Sequence, residues 1–488
     1  MTIPGVCSRV MEIAVIALYM SVLFILGVYG FHRGMLLFLY WKYRHAAPQP
    51  LGTFAELPIV TIQLPMYNEM YVAERLLEGV AGIDYPKDKL EIQVLDDSTD
   101  ETVQIAQAKV AELKARGFNA TYTHRIDRIG YKAGALEAGL KTALGDFLLV
   151  FDADFVPTPG IVKNLVQFFT DPQVGMVQAR WGHLNRDYSL LTRVQSMMLD
   201  GHFVIEHIAR NRSGRFFNFN GTAGIWRKQA IVDAGGWQHD TLTEDMDLSF
   251  RAQLRGWKFI YVPEVLAPAE IPCEMNSFKS QQFRWAKGSA QTTRKLLLTV
   301  LKSKLPLHVK IEAVFHLTNN FAYLFLVILA CLQLPNMLLR HKMNNPQLLW
   351  LDVPLFVATT CSIMMFYLTT HRALYRDVWE ALKRLPLTMA LGIGLSLNNT
   401  RAVMEGLFGG DTEFVRTPKH GVTSKQDGWR KKKYKAGRNL FSWVELFFGL
   451  YFVVTIVLAI TTGAWISIPF LVLFMVGFLY VGTLSLAR

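Results

Sequence analysis

The chain changes texture twice along its length. An apolar run over 13–29 is followed, after Phe31-His-Arg, by a second over 35–41. Together they predict one anchored helix over roughly 12–41 with an interfacial end. No small-residue cleavage site follows, so the run reads as an anchor and not as a cleaved leader. From about 55 to 300 the apolar runs shorten. PIVTIQL (58–64), LEIQVL (90–95) and FLLVF (147–151) alternate with helical patterns such as VAERLLEGVAGI. Strands alternating with helices predict a mostly parallel sheet with helices on both faces. After 300 long apolar segments return, over 311–339, 353–370, 441–461 and 464–486, each long enough to span a membrane. The stretch 385–409 begins apolar and then carries Asn398, Asn399, Arg401 and Glu405.

Composition agrees with this mixture. The 488 residues are 51% apolar, with a net charge of +12 and a mean hydropathy of +0.22. That is too apolar for an ordinary soluble protein and too charged for a plain membrane bundle. Cys7, Cys273, Cys331 and Cys361 show no paired spacing, which argues against a disulfide scaffold or a thiolate metal site.

Charge then sets the expected topology. Both WKYRH (41–45) and the segment holding Arg416, Lys419, Lys425, Arg430, Lys431, Lys432, Lys433, Lys435 and Arg438 are basic, and the positive-inside rule places both on the cytoplasmic side. An even number of spans must separate them. Two do so if 385–409 lies in the interface, which makes five spans in all. The expected organisation is an N-terminal transmembrane helix (1–50), a cytosolic domain with interfacial helices (51–305), and a C-terminal transmembrane region (306–488). The last contains the interfacial segment 385–409 and a cytosolic loop, 410–440. RKKKYKAGR sits beside a span, so anionic headgroups or a role in setting topology account for it better than nucleic acid does.

Candidate chemistry clusters at strand ends. Asp96 and Asp97 close an apolar run although each raises the cost of ionising the other. Asp152 and Asp154 follow FLLVF. In parallel sheets ligands bind beyond the carboxyl ends of the strands. The plain reading of Asp152-Ala-Asp154 is a solvated turn with Asp at helix-capping positions. The functional one is a hard divalent cation, Mg2+ or Mn2+, completed by substrate phosphates. In TLTEDMDLSFRAQLRGW (241–257), Thr243 and the acids suit a helix start, or Asp245 is a general base. In QQFRWAKG (281–288), Gln281, Arg284 and Trp285 share one helix face. That face either lines a membrane boundary, or offers a cation for a leaving diphosphate and a ring for a sugar. GYKAGAL (130–136) sets Lys132 among small residues, and FNFNGTAGIWR (217–227) is a glycine-rich bend between aromatics. Each is either a tight turn or part of a binding slot.

The order of these motifs is far more specific than any one of them. A carboxylate pair, Lys-Ala-Gly, Asp-x-Asp, Thr-Glu-Asp, Gln-x-x-Arg-Trp and then membrane helices resemble the membrane-embedded family-2 glycosyltransferases, which include cellulose, chitin and hyaluronan synthases. QLPMYNE, QVLDDSTD, VQARW, FNGTAGIWR and TEDMDLSFRAQLRGWKF resemble in particular the cellulose-synthase-like A and C groups, the mannan and glucan synthases. The resemblance covers roughly 55–440.

It implies an α/β GT-A domain inserted among transmembrane helices. It further implies that Asp96 and Asp97 bind the nucleotide of the donor with Pro65, Asn68 and Glu69. Lys132 then reaches the ribose or the diphosphate, Arg284 meets the leaving diphosphate, and Asp152 and Asp154 sit at the metal and diphosphate. Asp245 becomes the base, and Gly221, Thr222, Glu244, Gln281 and Trp285 face the acceptor. FVRTPK (414–419) resembles the Phe-x-Val-Thr-x-Lys gating loop of cellulose synthase, with Arg416 in place of valine and with Thr417 and Lys419 kept for the donor. No Arg-x-x-x-Arg with a later Asp-x-Ser-x-x-Gly follows, so no cyclic-di-GMP domain is expected.

The activity implied is an inverting, processive β-hexosyltransferase. It would polymerise glucose from UDP-glucose or mannose from GDP-mannose into a 1,4-linked glucan or mannan and export the growing polysaccharide. The membrane would be a bacterial inner membrane, or that of the Golgi or the cell surface. Two alternatives remain open at this stage: a ceramide-glucosyltransferase-like enzyme that adds one sugar to a lipid, and a transporter or sensor that binds nucleotide sugars without turnover.

Overall fold

The computed structural model describes residues 3–343, 349–409, 416–435, 437 and 440–487. Phe414 and Val415 of the gating-like motif, and Ala436 and Arg438 of the basic stretch, lie outside them.

Seven strands form one sheet: β1 (Val60–Met66), β2 (Leu90–Asp96), β3 (Asn119–His124), β4 (Phe147–Val150), β5 (Val174–His183), β6 (Gly224–Arg227) and β7 (Lys258–Ala269). Their order is β3-β2-β1-β4-β6-β5-β7. β1 to β4 are mutually parallel, whereas β6 runs antiparallel to both β4 and β5. The central strands are buried on both faces, as expected of a parallel sheet covered by helices. Val60, Ile62 and Leu64 fill one layer. On the other face Thr61 donates to Glu91 at 2.5 Å, its partner in the β1–β2 register, so that the buried polar groups satisfy each other.

The second apolar layer ties the sheet to the membrane helices. Leu148, Met176 and Trp226 share a core with Leu36 and Tyr40 from the first helix and with Phe366 and Tyr367 from a later one. Among the described residues five helices are long and apolar enough to cross a membrane: Val10–Tyr43, Leu307–Lys342, Asp352–Tyr375, Phe441–Thr461 and Trp465–Leu486. Between the third and fourth lie two shorter helices, Val378–Gly394 and Ser396–Phe408. They wedge between the last span and the helix Met275–Lys302. A methyl on Gly394 would lie 2.2 Å from the carbonyl oxygen of Gly477, and one on Gly406 would lie 2.6 Å from that of Lys287.

Candidate active site

The chain moves outward from β1 through β2 to β3, then returns to place β4 on the other side of β1. That reversal makes a crevice at the carboxyl ends of β1, β2 and β4. Three pieces of sequence meet there. Asp97 leaves β2, and Asp152 and Asp154 leave β4. Because β6 is antiparallel to β4, with Val150 opposite Gly224, the bend before β6 lands beside the end of β4. Two helices close the crevice: Glu244–Leu254 with its N-terminus in the site, and Met275–Lys302 across it. The result is a cleft of about 1300 Å³, partly open to solvent.

Fourteen of the residues expected from the sequence line this cleft: Pro65, Glu69, Asp97, Lys132, Asp152, Asp154, Gly221, Glu244, Asp245, Gln281, Arg284, Trp285, Thr417 and Lys419. Three do not. Asp96 is fully buried behind the wall, where its carboxylate accepts from Ser98 N at 2.9 Å and the Tyr122 hydroxyl at 2.7 Å. It shapes the turn that carries Asp97. Thr222 is also buried; its hydroxyl accepts from the backbone of Asp152 at 2.9 Å, so it positions that residue and does not face an acceptor. Asn68, at φ 54°, ties its own loop to the β2 turn through Ser98 and Thr99. The adjacent carboxylates thus coexist because they point apart: Asp96 inward to neutral donors, Asp97 outward to a two-pronged ion pair with Arg125 at 2.8 and 2.6 Å.

Charge in the cleft is dense and paired. Lys132 reaches Asp152 at 2.5 Å and the carbonyl of Gly221 at 2.8 Å. Burial pulls its pKa down, but Asp152, Glu244 and Asp245 outweigh that and raise it, so it stays a cation. Lys419 reaches Asp154 at 2.5 Å, and Arg284 donates to the Thr417 hydroxyl at 2.8 Å. Glu69 meets Arg416 at 2.9 Å; burial nevertheless pushes its carboxyl up to about 7. Asp245 is pushed up to about 7 by burial and then by its neighbour Glu244, against the pull of Lys132. Gly221 is required beside it. Its φ is +80°, and a methyl there would stand 3.1 Å from Asp245 Oδ2 and 3.4 Å from Lys132 Nζ.

The structure adds residues that local pattern did not single out. Arg128 lies 3.3 Å from the ring centre of Tyr67 and also faces Tyr131, forming a cationic aromatic stack on the rim. Asn220, His183 and Glu270 reach the cleft from β-strand ends or bends. Of the lining residues, Asn220 lies within the quoted FNGTAGIWR, Tyr67 within QLPMYNE and Trp181 within VQARW; His183, Glu270 and Arg128 lie in no quoted motif. The basic loop is held to the sheet domain by three of its residues. Lys433 pairs with Glu101 at 2.7 Å, Tyr434 donates to Asp100, and Lys432 sits 4.7 Å from the Tyr71 ring centre. These residues fasten the 416–435 segment across the catalytic domain. Their partners within the chain are its own acids and aromatics. Arg416, which departs from the valine of the pattern, has its own partners: Glu69 and the Tyr434 ring, 4.1 Å away.

Residues 58–288 match the family described as glycosyltransferase like family 2. The chain is 36% identical over 384 residues to glucomannan 4-beta-mannosyltransferase 2 of Arabidopsis thaliana, covering 76% of this chain and 69% of that one. To glucomannan 4-beta-mannosyltransferase 1 of Oryza sativa it is 35% identical, covering 79% and 73%. This chain belongs to glycosyltransferase family 2. Its fold is GT-A: the mannosyltransferase PcManGT from Pyrobaculum calidifontis, solved with GDP-Man and Mn2+, superposes with a TM-score of 0.52 at 21% identity over 80% of this chain and 99% of that one. In this glycosyltransferase the family match begins just before β1 and ends at Gly288, inside the helix that bears Gln281, Arg284 and Trp285. The 416–435 segment that completes the cleft wall comes from beyond it.

Proposed function

We propose that this glycosyltransferase moves mannose from GDP-mannose to the 4-hydroxyl of a growing β-1,4-linked mannan or glucomannan, with inversion, at the cytoplasmic face of a membrane. One observation carries the chemistry. Asp245, with its carboxyl near 7, stands in one cleft with Lys132, Arg284 and Lys419 and with the Trp285 ring. The similarity to glucomannan 4-beta-mannosyltransferases supports mannose over glucose.

Asp245 takes the proton from the acceptor hydroxyl as that oxygen attacks the anomeric carbon. The nucleoside diphosphate departs from the opposite face, so an α-linked donor becomes a β-linked product. Such general-base assistance contributes about 10²–10⁴-fold. Lys132, Arg284 and Lys419 are placed to meet the charge that grows on the leaving diphosphate. The Trp285 ring offers an apolar face for the acceptor sugar.

A divalent cation, Mg2+ or Mn2+, fits the donor set. Asp152 and Asp154 are hard oxygen ligands two residues apart in the cleft, and phosphate oxygens of the donor complete such a coordination sphere. Among the described residues no group of three His, Cys, Asp or Glu side chains forms a metal cage, so binding would depend on the donor. When bound, the ion neutralises diphosphate charge as a Lewis acid.

The orientation rests on shared contacts. Arg212 of the catalytic domain donates to the carbonyl of Arg44, and the basic 416–435 segment lies against the same domain. Both basic segments therefore share its side, which the positive-inside rule makes cytoplasmic. The adjoining spans support passage of a polymer outward.

A donor screen on the purified full chain in detergent tests the proposal. GDP release from GDP-mannose, with a long β-1,4-mannosyl product by linkage analysis, is expected. Turnover of UDP-glucose alone, or a single glycolipid product, would overturn it.

A further inference from the structure

Beneath the cleft lies a buried polar chain that the transfer chemistry does not use. Asn220 lines the cleft and precedes Gly221, the residue that packs on Asp245. Its backbone N–H is held by Gln178 at 3.2 Å. Its side-chain Nδ2 meets His202 Nε2 at 3.0 Å, and its Oδ1 meets His207 Nε2 at 2.5 Å. His202 Nδ1 in turn meets Glu206 Oε2 at 3.0 Å.

A carboxylate can only accept, which fixes the direction at one end of this chain. The proton between His202 and Glu206 is therefore on His202 Nδ1. The other ring nitrogen, Nε2, faces Asn220 Nδ2 and accepts from it. The amide oxygen then accepts from His207 Nε2–H. Burial holds His207 well below its usual pKa, which keeps it neutral with its lone pair on Nδ1. That nitrogen is buried and makes no hydrogen bond.

The two rings are themselves fixed. His207 stands edge-on to Phe203, Phe217 and Tyr261 at 5.1–5.4 Å. His202 and Glu206 bracket a single turn of π-helix, His202–Glu206, a distortion often found at functional sites. Glu206 is neutralised by Arg210 at 3.1 Å, and Arg210 by Glu312 at 2.8 Å, on the second membrane span.

An asparagine amide has two N–H groups and two lone pairs. The histidines use one of each. Asn220 makes no further side-chain hydrogen bond among the described residues, and it is only partly buried. What remains is one donor and one acceptor, on an amide held at both ends by the histidines in a residue that lines the cleft. A sugar hydroxyl both donates and accepts, so it matches that pair.

We propose that Asn220 reads a hydroxyl of the acceptor sugar beside the one deprotonated by Asp245, and that His202 and His207 are positioning residues that fix which end of its amide faces the sugar. This rests on reading the cleft as a β-hexosyl transfer site. A site built to pair a hydroxyl rejects the analogue that lacks it, because its own polar groups are left unpaired.

Binding measured on the full-length protein in detergent separates this from the transfer reading. The probes are β-1,4-mannotetraose and its analogues deoxygenated at the 3- or 6-position of the sugar carrying the attacked hydroxyl. Wild type should bind one analogue at least ~10-fold more weakly than the parent. Asn220→Ala and His207→Phe should bind the parent weakly and lose the discrimination. Their GDP affinity should stay within about two-fold of wild type, which shows that the donor half of the cleft is intact. Equal binding of parent and analogues by wild type overturns the proposal, as does discrimination retained in Asn220→Ala with the transfer reading intact. A wild-type protein that binds neither mannotetraose nor cellotetraose overturns both.

Discussion

Gly288 and Thr243 touch with no room for a side chain between them. A methyl on Gly288 would lie 2.5 Å from Thr243 Cγ2 and 2.7 Å from its backbone nitrogen. Thr243 immediately precedes Glu244 and Asp245, and Gly288 follows Trp285 by less than one helical turn. This contact therefore sets the spacing between the proposed base and the proposed acceptor platform. Gly288→Ala would otherwise favour the helix by up to about 1 kcal/mol. Here it must push the two helices apart, and a displacement of roughly 1 Å can reduce turnover by about 10²-fold. Steady-state kinetics should show kcat reduced by one to two orders of magnitude with GDP affinity preserved; an unchanged kcat would refute the role of this contact.

The pH dependence follows from Asp245. Burial, then Glu244, raise its carboxyl to about 7, while Lys132 opposes them and Asp152 adds to them. A base works only when ionised, so transfer should climb as pH rises through about 7 and level off above it. Asp245→Asn should remove roughly 10² or more of the rate while sparing donor binding. The sign for stability is opposite to that for activity. A carboxyl whose folded pKa is raised favours folding while protonated and loses that contribution as pH rises through about 7. Asp245→Asn should thus melt higher than wild type on the alkaline side of that value, and thermal scans at two pH values check it. A variant with wild-type turnover would remove Asp245 from the mechanism.

Lys279 and Glu445 form a fully buried ion pair at 2.6 Å, joining the Gln-x-x-Arg-Trp helix to a membrane span two residues before Gln281. Removing one partner of such a pair typically destabilises by about 3–5 kcal/mol, because the other charge is left uncompensated. Lys279→Met should therefore lower the melting temperature in detergent sharply, and Lys279→Met with Glu445→Leu should recover most of the loss. Additive losses in that double-mutant cycle would contradict the pairing.

Lys419 spans from the 416–435 segment to Asp154 at 2.5 Å, and Thr417 beside it accepts from Arg284. If the segment closes over the diphosphate, Lys419→Ala should raise the donor KM by about 10-fold, since one charge-assisted hydrogen bond is lost. A chelator should abolish transfer, Mn2+ should restore it, and Asp154→Asn should need more Mn2+ for half-restoration. Full activity in excess chelator would eliminate the proposed metal role of Asp152 and Asp154.

Read along the chain, the period of the apolar pattern already determined much of this protein. Long apolar runs predict helices able to cross a membrane, and the five such helices among the described residues coincide with them. Short runs between helical patterns placed β1, β2 and β4, and hence the acids at their ends, because a parallel sheet concentrates chemistry at its carboxyl edge. The motif order pointed to the family, and the cleft gathers most of its residues. What the tertiary structure alone decided is where each side chain points. Asp96 and Asp97 are neighbours with the same charge, yet one is buried against Tyr122 and the other pairs with Arg125. Thr222 supports Asp152 from behind, and Asn220 is oriented by two histidines at 13 and 18 positions' distance. The basic stretch after 416 meets acids on a distant loop at 100–101. None of these follows from periodicity, because direction past a strand end is set by partners that the fold brings from elsewhere in the chain.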